Sequence, residues 1–240
     1  MLDQPAQHAD HRFDTRQFQV LVGLVGTGDV AGAEDQGLAA QALEVRRLGT
    51  ERHGLGAMPG QAFGDAYQFA VLRQLGMVDN SGGEISSDRA FTLTTSALTN
   101  QGGRLRSGGV LTLRIAQALD NSLEGVLSGT GGLDIRALAL DNRSGSIGSK
   151  GAIDIGVTRL ENDAGTLIAE RGLKLAADEA NNSKGRIVAK DDLRAKLGAL
   201  VQNGGELTTQ GALALDADKV DNGAGRIAGN RGVVIDVRQV

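Results

Sequence analysis

One phrase of about twenty residues is written eight times between residues 77 and 240, and a fixed period of that length outranks any local reading of the chain. An asparagine marks each copy: Asn80, Asn100, Asn121, Asn142, Asn162, Asn182, Asn203 and Asn222, at steps of 20, 21, 21, 20, 20, 21 and 19 residues. Two residues before it sits an apolar or small residue (Val78, Leu98, Leu119, Leu140, Leu160, Ala180, Val201, Val220). About five after it comes another (Ile85, Leu105, Val126, Ile147, Leu167, Ile187, Leu207, Ile227), then a small residue (Ser87, Ser107, Ser128, Ser149, Ala169, Ala189, Thr209, Gly229). An apolar pair with one residue between closes the phrase: Phe91/Leu93, Leu111/Leu113, Leu133/Ile135, Ile153/Ile155, Leu173/Leu175, Leu193/Ala195, Leu213/Leu215 and Val233/Ile235.

Within a copy the apolar residues alternate with polar or small ones, as in Ser146-Ile147-Gly148-Ser149 and Ile153-Asp154-Ile155. Period two means strand, one face inward and the other toward water. Asn-x-x-Gly turns punctuate these strands, and no proline falls within 77–240 to break a ladder. Three short strands cannot bury a core by themselves, so each copy must lean on its neighbours. The expected fold is all-β: a right-handed parallel β-helix of about eight coils of 20–21 residues, a rod about 40 Å long at about 4.8 Å per coil. The asparagine column is expected to turn each corner in the left-handed conformation and to bond the coils above and below, rather than to form a surface ladder for ligand.

Residues 1–76 have another composition. Both prolines (Pro5, Pro59), all three histidines, Tyr67 and four of the five phenylalanines lie there. Phe18–Val22 reads as a strand, Gly26-Thr27-Gly28 with Gly32 as a turn, and Ala33–Leu48 as a helix stopped at Gly49. That succession resembles half of a dinucleotide-binding fingerprint, but the remaining strands of such a domain are absent, so a plain turn is preferred. Residues 62–75 carry helical spacing, with Phe63, Ala66, Tyr67 and Ala70 on one face and Phe69 and Leu72 beside it. The expected organisation is a non-repeat segment over 1–76, partly helical or disordered, and a repeat domain over 77–240. The front segment either caps the first coil, whose open end exposes strand edges, or is foreign to the natural product.

Composition removes several function classes. Without cysteine there is no disulfide frame and no thiolate metal site, and His8, His11 and His53 all lie outside the repeats. The array carries 19 Lys and Arg against 20 Asp and Glu, which gives no basic footprint for nucleic acid. No apolar run is long enough for a membrane helix, and Met1–Pro5 lacks the charged-then-apolar start of an export signal. Catalytic carboxylate pairs in glycosidases act about 5–9.5 Å apart. Asp191 and Asp192 are sequence neighbours and so point to opposite faces, whereas Asp216 and Asp218, near Asp221, share a face with no Arg, His or long loop in view. Gly131-Gly132-Leu133-Asp134 has only the first half of the glycine-rich calcium nonapeptide. The repeats' one aromatic, Phe91, sits in the inward pair and offers no stacking platform. No catalytic, cofactor or metal residue, no cofactor and no small-molecule substrate is therefore assigned.

The phrase apolar-x-Asn-x-x-Gly-x-Ile-x-Ser/Ala followed by Gly-x-Leu-x-Leu resembles the haemagglutinin repeat of filamentous haemagglutinin-like exoproteins, the two-partner-secretion adhesins and contact-dependent inhibition toxins of Gram-negative bacteria. Leu160-Glu161-Asn162-Asp163-Ala164-Gly165-Thr166-Leu167-Ile168-Ala169 and Val220-Asp221-Asn222-Gly223-Ala224-Gly225-Arg226-Ile227-Ala228-Gly229 carry it most clearly. The resemblance covers about two-thirds of the chain. It implies a structural, non-enzymatic filament segment, secreted or on the bacterial surface as part of a larger protein. It also implies an outer-membrane transporter as export partner and a receptor on a host or neighbouring cell. A fragment of a β-helix carbohydrate-active enzyme is the alternative.

Overall fold

The computed structural model describes residues 12–14, 19–21 and 69–239. Among these residues there is no helix: the chain winds as a parallel β-solenoid of about eight turns, each contributing one long and one short strand to two sheets. The long-strand sheet runs Arg12–Asp14, Phe69–Asp79, Ala90–Thr99, Val110–Ile115 with Ala118–Asp120, Gly132–Asp141, Ala152–Glu161, Leu173–Asn181, Leu193–Val201, Ala212–Asp221 and Gly232–Gln239. The short-strand sheet runs Gln19–Leu21, Glu84–Ser87, Arg104–Ser107, Val126–Gly129, Ser146–Ser149, Thr166–Ala169, Arg186–Ala189, Glu206–Thr209 and Arg226–Gly229. Two strands per coil replace the three expected, because the apolar pair and the residue before the asparagine lie on one long strand.

Each inward row is a stack of like side chains held in register, for example Leu133, Ile153, Leu173, Leu193 and Leu213. These rows form one core along the axis. The long strand also buries a third position that the apolar pair does not announce, occupied by Ile115, Val157, Ala177, Leu197 and Ala217. In the last coil Val233 and Ile235 hold the inward register, paired with Leu213 and Leu215, yet remain exposed.

Asn-x-x-Gly has a steric cause. A Cβ at Gly165 would lie 2.1 Å from Asn142 O, and one at Gly185 2.1 Å from Asn162 O, so each turn crosses the carbonyl of the coil before it too closely for a side chain. The left-handed conformation falls on the residue preceding that glycine (Ser144, Ala164, Lys184 and Ala224, φ between 52° and 55°) and not on the asparagine, correcting the expected corner role. The coil of Asn121 has one extra turn residue, and both Leu123 and Glu124 take positive φ. Its inward residues are therefore Leu127 and Gly129, one position beyond the expected Val126 and Ser128. A second extra residue splits the long strand one coil earlier, where Leu138 N and Ala139 N both donate to Gln117 O.

The helix expected over 62–75 is overturned where it can be seen: Phe69–Asp79 is a strand paired with Ala90–Thr99, and it runs through the boundary placed at residue 77. Helical spacing over a short apolar segment yields to an available strand edge. Arg12–Asp14 and Gln19–Leu21 pair in parallel with Met77–Asp79 and Glu84–Ser86, placing strands of the front segment at the end of both sheets. The turn at Gly26–Gly32, the helix at Ala33–Leu48 and residues 62–68 lie outside the described residues.

Candidate functional surface

The asparagine column is interior. Asn80, Asn100, Asn121, Asn142, Asn162 and Asn182 are fully buried, so they cannot present a ligand ladder to solvent. Each donates its side-chain amide to the next, Nδ2 to Oδ1, at 2.6, 2.7, 2.7, 2.6 and 2.7 Å in turn. The seventh rung is Gln202, not the expected Asn203. Asn182 Nδ2 donates to Gln202 Oε1 at 3.1 Å, and Gln202 Nε2 donates to Asn222 Oδ1 at 3.0 Å. Asn203 is exposed in the turn. Leu200 accordingly fills the inward position two before the rung, while Val201 faces outward. A buried amide costs stability unless its groups are met, and here the neighbouring coils meet them.

The carboxylates are tied into the scaffold. Asp192 Oδ1 accepts from Ala212 N at 3.0 Å, while Asp191 lies 3.9 Å from Arg171 and its backbone carbonyl accepts from the Thr209 hydroxyl, so the two carboxylates are engaged by different neighbouring coils. Asp216 and Asp218 do share a face, and Arg238 from the next coil lies between them, donating to Asp218 Oδ1 and, at 2.9 Å, to Asp216 Oδ1. This corrects the expectation that no arginine accompanies them. The bond to Asp218 and the charge of Asp216 raise the Arg238 guanidinium above its ordinary pKa, the mark of an ion pair rather than an acid–base couple. Asp221 Oδ1 accepts from Gly223 N at 3.3 Å. Asp134, the candidate calcium residue, is held by Arg114 and by Arg136, whose Nη1 lies 3.0 Å from Oδ1 as an ion pair without hydrogen-bond geometry. Among the described residues no three His, Cys, Asp or Glu side chains gather as a metal site. The three histidines lie outside them.

Opposite charges one coil apart recur on the outside: Arg136–Asp154 at 2.8 Å, Arg159–Glu179 at 2.7 Å, Arg186–Glu206 at 3.2 Å and Glu170–Lys190 at 3.2 Å. Such half-exposed pairs add about 0–1 kcal/mol each, and they discriminate against a slipped register. Burial pushes the Asp141 carboxyl up, but hydrogen bonds from the Arg143 side chain and backbone N–H together hold it below the usual carboxylate value. Over the C-terminal half of the long-strand sheet lies a shallow groove of about 440 Å³, lined by Ala176 and Ala214 together with Lys174, Arg194, Lys196 and Asp154. Sequence reasoning missed this groove, since outward alanines are silent in an apolar pattern. It also missed Arg238, although its spacing of 20 from Asp218 is the coil length.

A family model described as the haemagglutinin repeat matches residues 24–122, 125–196 and 194–239. Neither a curated protein nor a solved structure matches the chain.

Proposed function

The chain belongs to the haemagglutinin repeat family, and on that footing we propose that it is a shaft segment of a bacterial surface filament, an adhesin or toxin-delivery exoprotein, with no catalysis of its own. Family and fold together make it a structural, adhesin-like filament segment. Uniformity carries the finer reading. The rungs recur every 20 or 21 residues once Gln202 takes its place, and between Asn80 and Asn222 no insertion walls a cleft. A surface built this way offers length, polar faces and paired charges rather than a reactive centre. The carboxylates that a carbohydrate-active enzyme would use are each bound to arginine or backbone, which favours the shaft over that alternative. In the proposed setting the segment is exported through an outer-membrane partner and carries a receptor-binding or toxic part away from the cell.

The test is peptide mass spectrometry on the producing bacterium, sorted by protein size and by surface, culture and cytoplasmic fraction. Peptides from 77–240 in a very large surface or culture species support the shaft reading. Their confinement to a cytoplasmic protein of about the size of this chain, 24.8 kDa, would end it.

A further inference from the structure

We propose that Asn222-Gly223 is a self-modifying site: Asn222 loses its amide nitrogen spontaneously, and the last described rung of the ladder changes from a donor to an acceptor. The sequence has two Asn-Gly pairs, Asn203-Gly204 and Asn222-Gly223. Glycine favours attack of the following backbone nitrogen on the side-chain carbonyl, because it has no Cβ in the way. In the reaction Gly223 N bonds to Asn222 Cγ, the Cγ–Nδ2 bond breaks and ammonia leaves, giving a cyclic imide. Water then opens the ring at either carbonyl, to aspartate or isoaspartate.

The structure separates the two pairs. Gly204 N is committed to the inter-coil ladder, donating to Gly223 O at 2.7 Å, and Gly204 has φ +66°. Gly223 N donates to the exposed Asp221 carboxylate at 3.3 Å, a longer bond to a group that can also accept the proton the nitrogen must lose. Asn222 differs from the six asparagine rungs before it in its following glycine, since those are followed by Ser, Gln, Arg or Asp.

The consequence follows from the direction of the ladder. Every rung donates toward the next coil, so Asn222 Nδ2 is the donor the column would extend to a further coil. It now donates to Gly225 O at 3.2 Å. A carboxylate there still accepts from Gln202 Nε2 but faces Gly225 O without a proton, and isoaspartate lengthens the turn by one methylene. The coil of Asn222 then loosens and no longer offers a donor to a further rung.

The experiment ages the full chain at neutral to mildly alkaline pH and follows amide-to-acid conversion at both sites by peptide mapping. Conversion at Asn222 is expected to outrun that at Asn203 by at least about tenfold, a difference of about 1.4 kcal/mol in barrier. Gly223→Ser, which places there the residue found at Ser81, Ser122 and Ser183, should suppress it; the new Cβ meets the flexible Asn203 side chain, which can swing away. Equal rates at the two sites, or no conversion at Asn222, overturn the proposal. Amide exchange in Arg226–Gly229 and Gly232–Gln239 should quicken in aged protein and in Asn222→Asp, with Ser146–Ser149 as internal reference. Unchanged exchange in both overturns the claim that the modification uncouples the coil.

Discussion

Replacing Gln202 and Asn203 separately by alanine decides which residue belongs to the buried column. The Gln202 side chain makes three hydrogen bonds across coils: it accepts from Asn182 Nδ2 at 3.1 Å and donates to Asn222 Oδ1 at 3.0 Å and Arg226 O at 3.1 Å. At about 0.5–1.5 kcal/mol net per hydrogen bond, Gln202→Ala should cost about 1.5–4.5 kcal/mol. The Asn182 amide keeps Glu206 O at 3.0 Å, so the larger penalty for an orphaned donor does not apply. Asn203 is exposed, and Asn203→Ala should stay within about 0.5 kcal/mol. A solenoid opens locally, so a single melting midpoint would blur the effect, and native-state hydrogen exchange read by mass spectrometry is the suitable assay. At about tenfold per 1.4 kcal/mol, Gln202→Ala should speed exchange in Arg226–Gly229 and Gly232–Gln239 by about ten- to a thousandfold, and Asn203→Ala by no more than about threefold. If Asn203→Ala proved the more damaging of the two, the assigned register of this coil would be refuted.

Gly165→Ala should destabilise its coil by at least about 1–3 kcal/mol, because the new methyl would sit 2.1 Å from Asn142 O and the backbone must give way; proteolysis at the Asn162 turn reads this directly. Asp141 has a folded pKa below its ordinary value, so its contribution is intact above about pH 4 and is lost as pH falls through the lowered value. Asp141→Asn, which copies Asn181 in the equivalent position, should therefore flatten the acid limb of stability against pH in chemical denaturation. Excising residues 142–161 removes one whole coil and should leave a folded, shorter solenoid by circular dichroism, whereas excising 142–160 shifts alternation by one and should not.

The repeat, the inward rows and the parallel stacking were legible because a period of twenty is repeated often enough to average out local exceptions. The exceptions arise where one residue is gained or shifted. Asn203 drew the reading because it is an asparagine, but the steps of 21 then 19 around it are the trace of a 20-residue coil whose rung is Gln202. Asn121-Ser122-Leu123-Glu124-Gly125 shows its extra turn residue in the displaced glycine, which moves the inward positions to Leu127 and Gly129. Phe69–Asp79 was illegible in isolation: its fate is set by the edge of Ala90–Thr99, a partner far outside a local window. Arg238 between Asp216 and Asp218 follows only after register is known, since it comes from a different strand.

The divided strand at Val110–Ile115 and Ala118–Asp120 has a mechanical meaning. Hydrogen bonds between coils lie along the rod, so tension applied at its ends loads successive junctions in series, and the rod is only as strong as its weakest one. Across the interruption Ala116 N and Gln117 N still donate to Thr95 O and Ser96 O, and Gln117 O accepts from Leu138 N and Ala139 N, so the extra residue is absorbed without removing bonds from either junction. Each 20-residue coil that unravels exchanges about 4.8 Å of native height for about 66–72 Å of extended chain. A filament of such coils dissipates a pull by lengthening in steps instead of snapping.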